Sequence, residues 1–116
     1  MTRLDTVRRI ALALPEAEEH VVESWEGEVT FRVRGKVFVF AGTDASTISV
    51  KLGREEAAAL AEADPRAVPT GYGLGRHGWI SYSLKDGRLP EELSEWVLES
   101  YCNVAPKRLA AAARGV

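Results

Sequence analysis

Apolar positions along this chain change period several times, and each change marks an element. Leu4, Val7, Ala11 and Leu14 fall on one helical stripe behind a cap formed by Thr2 and Asp5, and Pro15 ends that helix. From Val29 to Phe40 the period drops to two, which predicts a β-hairpin. A type II′ turn at Gly35-Lys36 would set Val33 against Phe38 and Phe31 against Phe40, with Arg32 and Arg34 on the other face. Thr47 to Leu52 alternates as a third strand, and the Ala- and Glu-rich segment Gly53 to Ala63 reads as a second helix ending at Asp64-Pro65. Val68 to Thr70 and Trp79 to Leu84 are two short strands joined by the glycine-rich loop GYGLGRHG.

A turn is expected at Asp86-Gly87, after which Pro90 opens a third helix with Leu93, Trp96, Val97, Ser100, Tyr101 and Val104 on its buried stripe. Pro106 interrupts it, leaving a tail from Lys107 that is either one more helical turn or frayed. Glu16 to Glu28 shows no usable period and reads as a polar connection anchored by Trp25. The expectation is one domain over residues 1–116, α+β in class. It is a two-layer α/β sandwich with helices on one face of an antiparallel sheet, in the order α-β(3)-α-β(2)-α. Phe31, Val33, Phe38, Phe40, Ile48, Val50 and Trp96 are the expected core.

The length suits a single core, since a chain of this size buries roughly two-thirds of its unfolded surface. With a net charge of −2, nucleic-acid binding would require a local basic patch. One cysteine, Cys102, excludes an intrachain disulfide and a Cys-rich zinc site, and suits a reducing compartment. It reads as a core thiol on a helix. No run approaches the ~18 apolar residues of a membrane span, and the N-terminus reads as an amphipathic helix, so a cytoplasmic monomer or weak dimer is expected.

Candidate chemistry is sparse. The loop Gly71 to Gly78 is rich in glycine but lacks the Gly-x-x-x-x-Gly-Lys-Ser/Thr spacing, and a strand follows it where a phosphate cradle needs a helix start. Nothing in the spacing supports a Cys102–His77 nucleophile pair. The acids of the Glu16–Glu28 segment with His20 are conceivable metal ligands, but they lack the spacing of a known site, and a solvated loop is the better reading. No catalytic residue, cofactor or metal is expected, and the chain does not read as an enzyme. The notable set is basic: Arg32, Arg34 and Lys36 on the hairpin, Lys51 and Arg54 after the third strand, and Arg76 and His77 in the glycine loop. Such a set can supply contacts to a phosphate backbone, although alternating charges on a strand are more often only its wet face.

The segments SWEGEVTFRVRGKVFVF, ISVKL, RHGWISYSL and SYCNVAPKRL together resemble the MmcQ/YjbR family of small bacterial proteins, over nearly the whole chain. The resemblance implies an α-β(3)-α-β(2)-α two-layer fold and duplex DNA as partner, contacted by a "double wing" of β-hairpins. The candidate nucleic-acid-binding residues under that reading are the basic set above, Arg32, Arg34, Lys36, Lys51, Arg54, Arg76 and His77. Where the family commonly has a His-Pro pair, this chain has Gly27-Glu28-Val29, which adds a carboxylate beside the hairpin. The competing reading is a protein-interaction or small-ligand module. A concave apolar pocket near Trp79 and Tyr72 favours the ligand, and a convex basic ridge favours DNA.

Overall fold

Thr2 and Asp5 form the expected capping box in the computed structural model of the protein, which describes residues 2–85 and 89–115. The box opens α1 (Arg3–Leu12), whose Val7 and Ala11 are fully buried. The turn expected at Asp86-Gly87 lies outside the described residues.

The segment read as a polar connection is largely a strand. Residues Ala17–Val22 form β1, which pairs antiparallel with β2 (Glu28–Val33), and a single 3₁₀ turn over Glu23–Trp25 joins them. It escapes a hydrophobic-period reading because it is an edge strand, where charged side chains discourage further pairing. Its inward Glu19 receives the Arg8 guanidinium from α1, Nε at 2.7 Å and Nη2 at 3.1 Å, in place of an apolar contact.

The hairpin from β2 to β3 (Lys36–Gly42) exists, but its register differs from the expected one. The two-residue turn is Arg34-Gly35, flanked by the pair Val33 and Lys36. Both turn residues have positive φ, 52° and 80°, the signature of a type I′ turn, whose twist matches that of the strands. Gly35 adopts this at little cost, while Arg34 is held there by a two-pronged pair with Glu16. Phe31 then lies opposite Val39, and Phe40 opposite Thr30. Shifts between Val29 and Thr30 and between Phe31 and Arg32 mark β-bulges. The bulge near Phe38 breaks the alternation of β3: Phe38 is fully buried under the helices, whereas Phe40 is only partly buried and faces the other way.

The remaining strands are β4 (Thr47–Lys51), β5 (Ala67–Pro69) and β6 (Trp79–Ser83), and all six form one antiparallel sheet in the order β1-β2-β3-β4-β6-β5. Helices α2 (Arg54–Ala63), α3 (Leu93–Val104) and α4 (Lys107–Ala113) join α1 on one face. The tail is thus a true helix, with Leu109 buried. The fold class is as expected, α+β in two layers, with β1 and α4 added to the expected order. The third helix begins at Leu93 instead of Pro90, and Trp96 lies at the core margin, tilted against Tyr82 at 4.8 Å.

Two polar devices tie the layers together. Beyond the paired residues of β3 and β4, the buried Ser100 hydroxyl of α3 donates to the Phe38 carbonyl at 2.6 Å and accepts from the Lys51 amide at 2.8 Å. At the end of α2, the buried Tyr82 hydroxyl donates to Asp64 at 2.6 Å, and Arg66 adds hydrogen bonds from its amide and guanidinium. These donors, Tyr82 foremost, hold the Asp64 carboxyl down to about 2, and burial together with that bond pushes the Tyr82 phenol up to about 12. A depressed carboxylate stabilises the fold above its unfolded pKa and loses that contribution as pH falls through the folded one. Stability is therefore expected to decline between about pH 4 and pH 2, and Tyr82→Phe should flatten that limb in urea titrations run across the acid range. An acid limb identical in Tyr82→Phe would show that the phenol does not support the carboxylate.

Candidate functional site

With four helices on one face, the opposite face of the sheet is left open. One cross-strand row runs over it from His20 through Thr30, Phe40, Ser49 and Ser81 to Val68. The row is apolar at Phe40 and hydroxylic beside it: Ser49 and Ser81 share a 2.7 Å hydrogen bond, and Thr70 joins Ser81 at 2.9 Å. Phe40 packs edge-on against the buried Trp79 at 5.3 Å and lies 6.3 Å from Trp25, tilted by 36°. Trp25, expected to pin its segment to the core, is 52% exposed and meets Phe40 on the open face instead.

Phe40, Ser49 and Ser81 form the floor of a groove of about 860 Å³, with Ser24 to Glu28 as one bank and Thr70 to Leu74 as the other. The volume falls within the range of small-molecule sites. On that far bank Tyr72 is fully exposed and has a φ of 59°, between two glycines. A bulky residue in the left-handed region is strained, and strain of this kind clusters at functional sites. Among the described residues, Glu26 and Glu28 are the only charged side chains lining the groove.

The basic residues expected to bind nucleic acid are only partly brought together. Antiparallel register puts the end of β2, the start of β3, the end of β4 and the start of β6 at one end of the sheet. Arg34, Lys36 and Lys51 therefore share that end with Arg54, Arg76 and His77, because Arg54 Nε donates to the Arg76 carbonyl at 3.0 Å. Lys107 and Arg108 start α4 nearby, since Asn103 on the preceding helix donates to the Lys51 carbonyl. Arg32 stands apart on the open face, opposite Glu18, with its Nε on the Thr30 hydroxyl. Arg34 is already matched by Glu16, whose carboxyl is held below its ordinary value by that bond.

Residue patterns pointed to a pocket near Tyr72 but not to the rest of the groove's aromatic and acidic lining: Trp25, Phe40, Glu26 and Glu28. A tyrosine between glycines was the available signal for Tyr72, but the bulge that turns Phe40 outward has none in the residue pattern. Burial raises the Cys102 thiol, in keeping with a packed residue. Among the described residues no cluster of three His, Cys, Asp or Glu side chains is placed to hold a metal ion, and no helix is long and apolar enough to cross a membrane.

No curated protein matches the chain. Among solved structures it is similar to the crystal structure of the Deinococcus radiodurans protein DR2400, described by a DUF419 domain. The TM-score is 0.79 at 25% identity, covering 99% of this chain and 87% of that one. The YjbR family model matches residues 12–103, most of the chain, including every strand of the sheet and all but the last residue of α3. The chain belongs to the YjbR family.

Proposed function

We propose that the protein is a non-catalytic binding module that takes a small organic ligand in the groove on the open face of its sheet. The observation carrying this reading is the groove itself, a concavity of about 860 Å³ with half-exposed Trp25 and fully exposed Tyr72 on its banks. Exposed aromatic side chains around a concave surface favour ligand contact over solvent. A binding role fits the floor, where the Ser49, Ser81 and Thr70 hydroxyls are engaged with one another. The test is a fragment screen by two-dimensional NMR. Binding should shift the Trp25 indole together with the Ser49 and Ser81 amides, and Trp25→Ala should weaken each hit about fivefold, as loss of a ring contact worth about 1 kcal/mol does. Hits that leave those signals unmoved would overturn the reading.

A second reading, duplex DNA, is supported by the cations gathered at one end of the sheet. The groove cannot serve it, because its carboxylates would repel phosphate. Binding would be sequence-tolerant, with dissociation constants of roughly 10⁻⁴ to 10⁻⁶ M and a steep salt dependence. In fluorescence-anisotropy titrations, Lys36→Ala is expected to flatten the salt slope by about one unit. Arg34→Ala should do less, since Glu16 already matches that charge. Absence of binding at low salt would remove this reading.

A further inference from the structure

We infer that the groove selects a small organic cation of the quaternary or alkylated ammonium class, seated against Trp25, Phe40 and Tyr72 with its charge offset by Glu26 and Glu28. The inference rests on the groove reading above and adds the chemistry of the occupant. Charge decides first. Among the described residues, Glu26 and Glu28 are the only charged side chains in the lining, and neither forms an ion pair. An anionic ligand would meet two carboxylates and no cation, whereas a cation gains attraction from both. The carboxylates stand where the 3₁₀ turn meets β2, beside Trp25, so charge and aromatic surface come from one stretch of chain.

The aromatic geometry favours the same class. Trp25 and Phe40 are tilted 36° to each other with centroids 6.3 Å apart, which makes an open corner instead of a stack. Tyr72 stands free on the other bank, its backbone held at positive φ between Gly71 and Gly73. A cation that meets the face of any of these rings gains attraction from its quadrupole, and an alkylated ammonium is the ligand that answers such a lining. The floor agrees by what it withholds. The Ser49, Ser81 and Thr70 hydroxyls are joined to one another, so few donors remain for a ligand rich in acceptors. An N-methylated cation needs none.

The test compares choline with its neutral isostere 3,3-dimethylbutan-1-ol, titrated into the protein and followed by NMR shifts of the Trp25 indole and the Ser49 and Ser81 amides. Choline should bind about tenfold or more tightly than the alcohol, as cation–π attraction in a partly desolvated site gives. The double variant Glu26→Gln/Glu28→Gln should bring that ratio toward one while the alcohol's affinity stays the same, and Trp25→Ala should weaken both probes. Equal affinities in the wild type would overturn the cation assignment and leave the groove standing as a site for neutral ligands. If neither probe shifts those signals, while other fragments do, the cation class fails alone; if nothing binds there at all, the groove reading falls with it.

Discussion

Replacing Phe38 with alanine is expected to destabilise the protein by about 3–5 kcal/mol, the range for large aromatic-to-alanine changes in cores. Phe38 is fully buried, with its ring edge-on to Tyr101 at 5.3 Å and 90°. Tyr101 cannot move to fill the space, because its hydroxyl is tied to the Pro15 carbonyl at 2.6 Å. The cavity would therefore persist, and a persistent cavity adds to the lost transfer energy. Phe40→Ala supplies the contrast: two residues along the same strand, it lies on the open face and should cost only about 1–2 kcal/mol of lost burial. Equilibrium urea denaturation of the two variants decides the matter. Equal losses would mean that the bulge does not turn the two rings to opposite sides.

The second large effect is expected at Gly78. A methyl group there would lie 2.6 Å from the Cα and carbonyl carbon of Gly53 and 2.7 Å from its nitrogen, and the residue has a φ of +89°. Backbone cannot swing aside as a flexible side chain can, and Gly53 is itself the residue that opens α2. The Leu52 amide bonds to the Gly78 carbonyl at 2.9 Å, so any displacement also disturbs the junction of β4 with β6. Left-handed strain of about 1–2 kcal/mol and an overpacking cost of about 1–3 kcal/mol then combine, for a loss of roughly 2–5 kcal/mol in Gly78→Ala. Gly35→Ala isolates the first contribution, because φ there is +80° but nothing lies within 4 Å of an added methyl. It should cost about 1–2 kcal/mol. A Gly78→Ala midpoint no lower than that of Gly35→Ala would show that the two glycine backbones do not need their close approach.

The layer arrangement was legible because most elements carry an unbroken period: the α1 stripe, the Ile48-Val50 alternation of β4 and the Leu93-Val97-Tyr101 face of α3. What was not legible depends on contacts between distant residues. β1 shows few apolar positions because Arg8, not a hydrophobic side chain, meets Glu19. The turn type hinges on Arg34, which takes up a conformation usually left to glycine or asparagine because Glu16 holds it. Once the turn moves by one residue and a bulge enters β3, Phe40 leaves the core and becomes groove lining. The candidate site follows the same division. The gathering of most of the cations at one end of the sheet follows from strand direction alone, but the separation of Arg32 from them does not. The groove depends on the bulge and on a tyrosine held outward between glycines, features that local propensity leaves open.

The Ser100 hydroxyl sets an order of assembly. It joins the Phe38 carbonyl to the Lys51 amide across separations of 62 and 49 residues. The middle of the sheet is consequently finished by a group that leaves the ribosome long after both strands, and closing so long a loop is slow compared with forming a hairpin. Nascent β3 and β4 can zip from Val39 to Phe40, but the seam toward Lys51 stays open until α3 docks. A chain stopped short of α3 would present that seam as an unfinished edge, open to pairing with another chain.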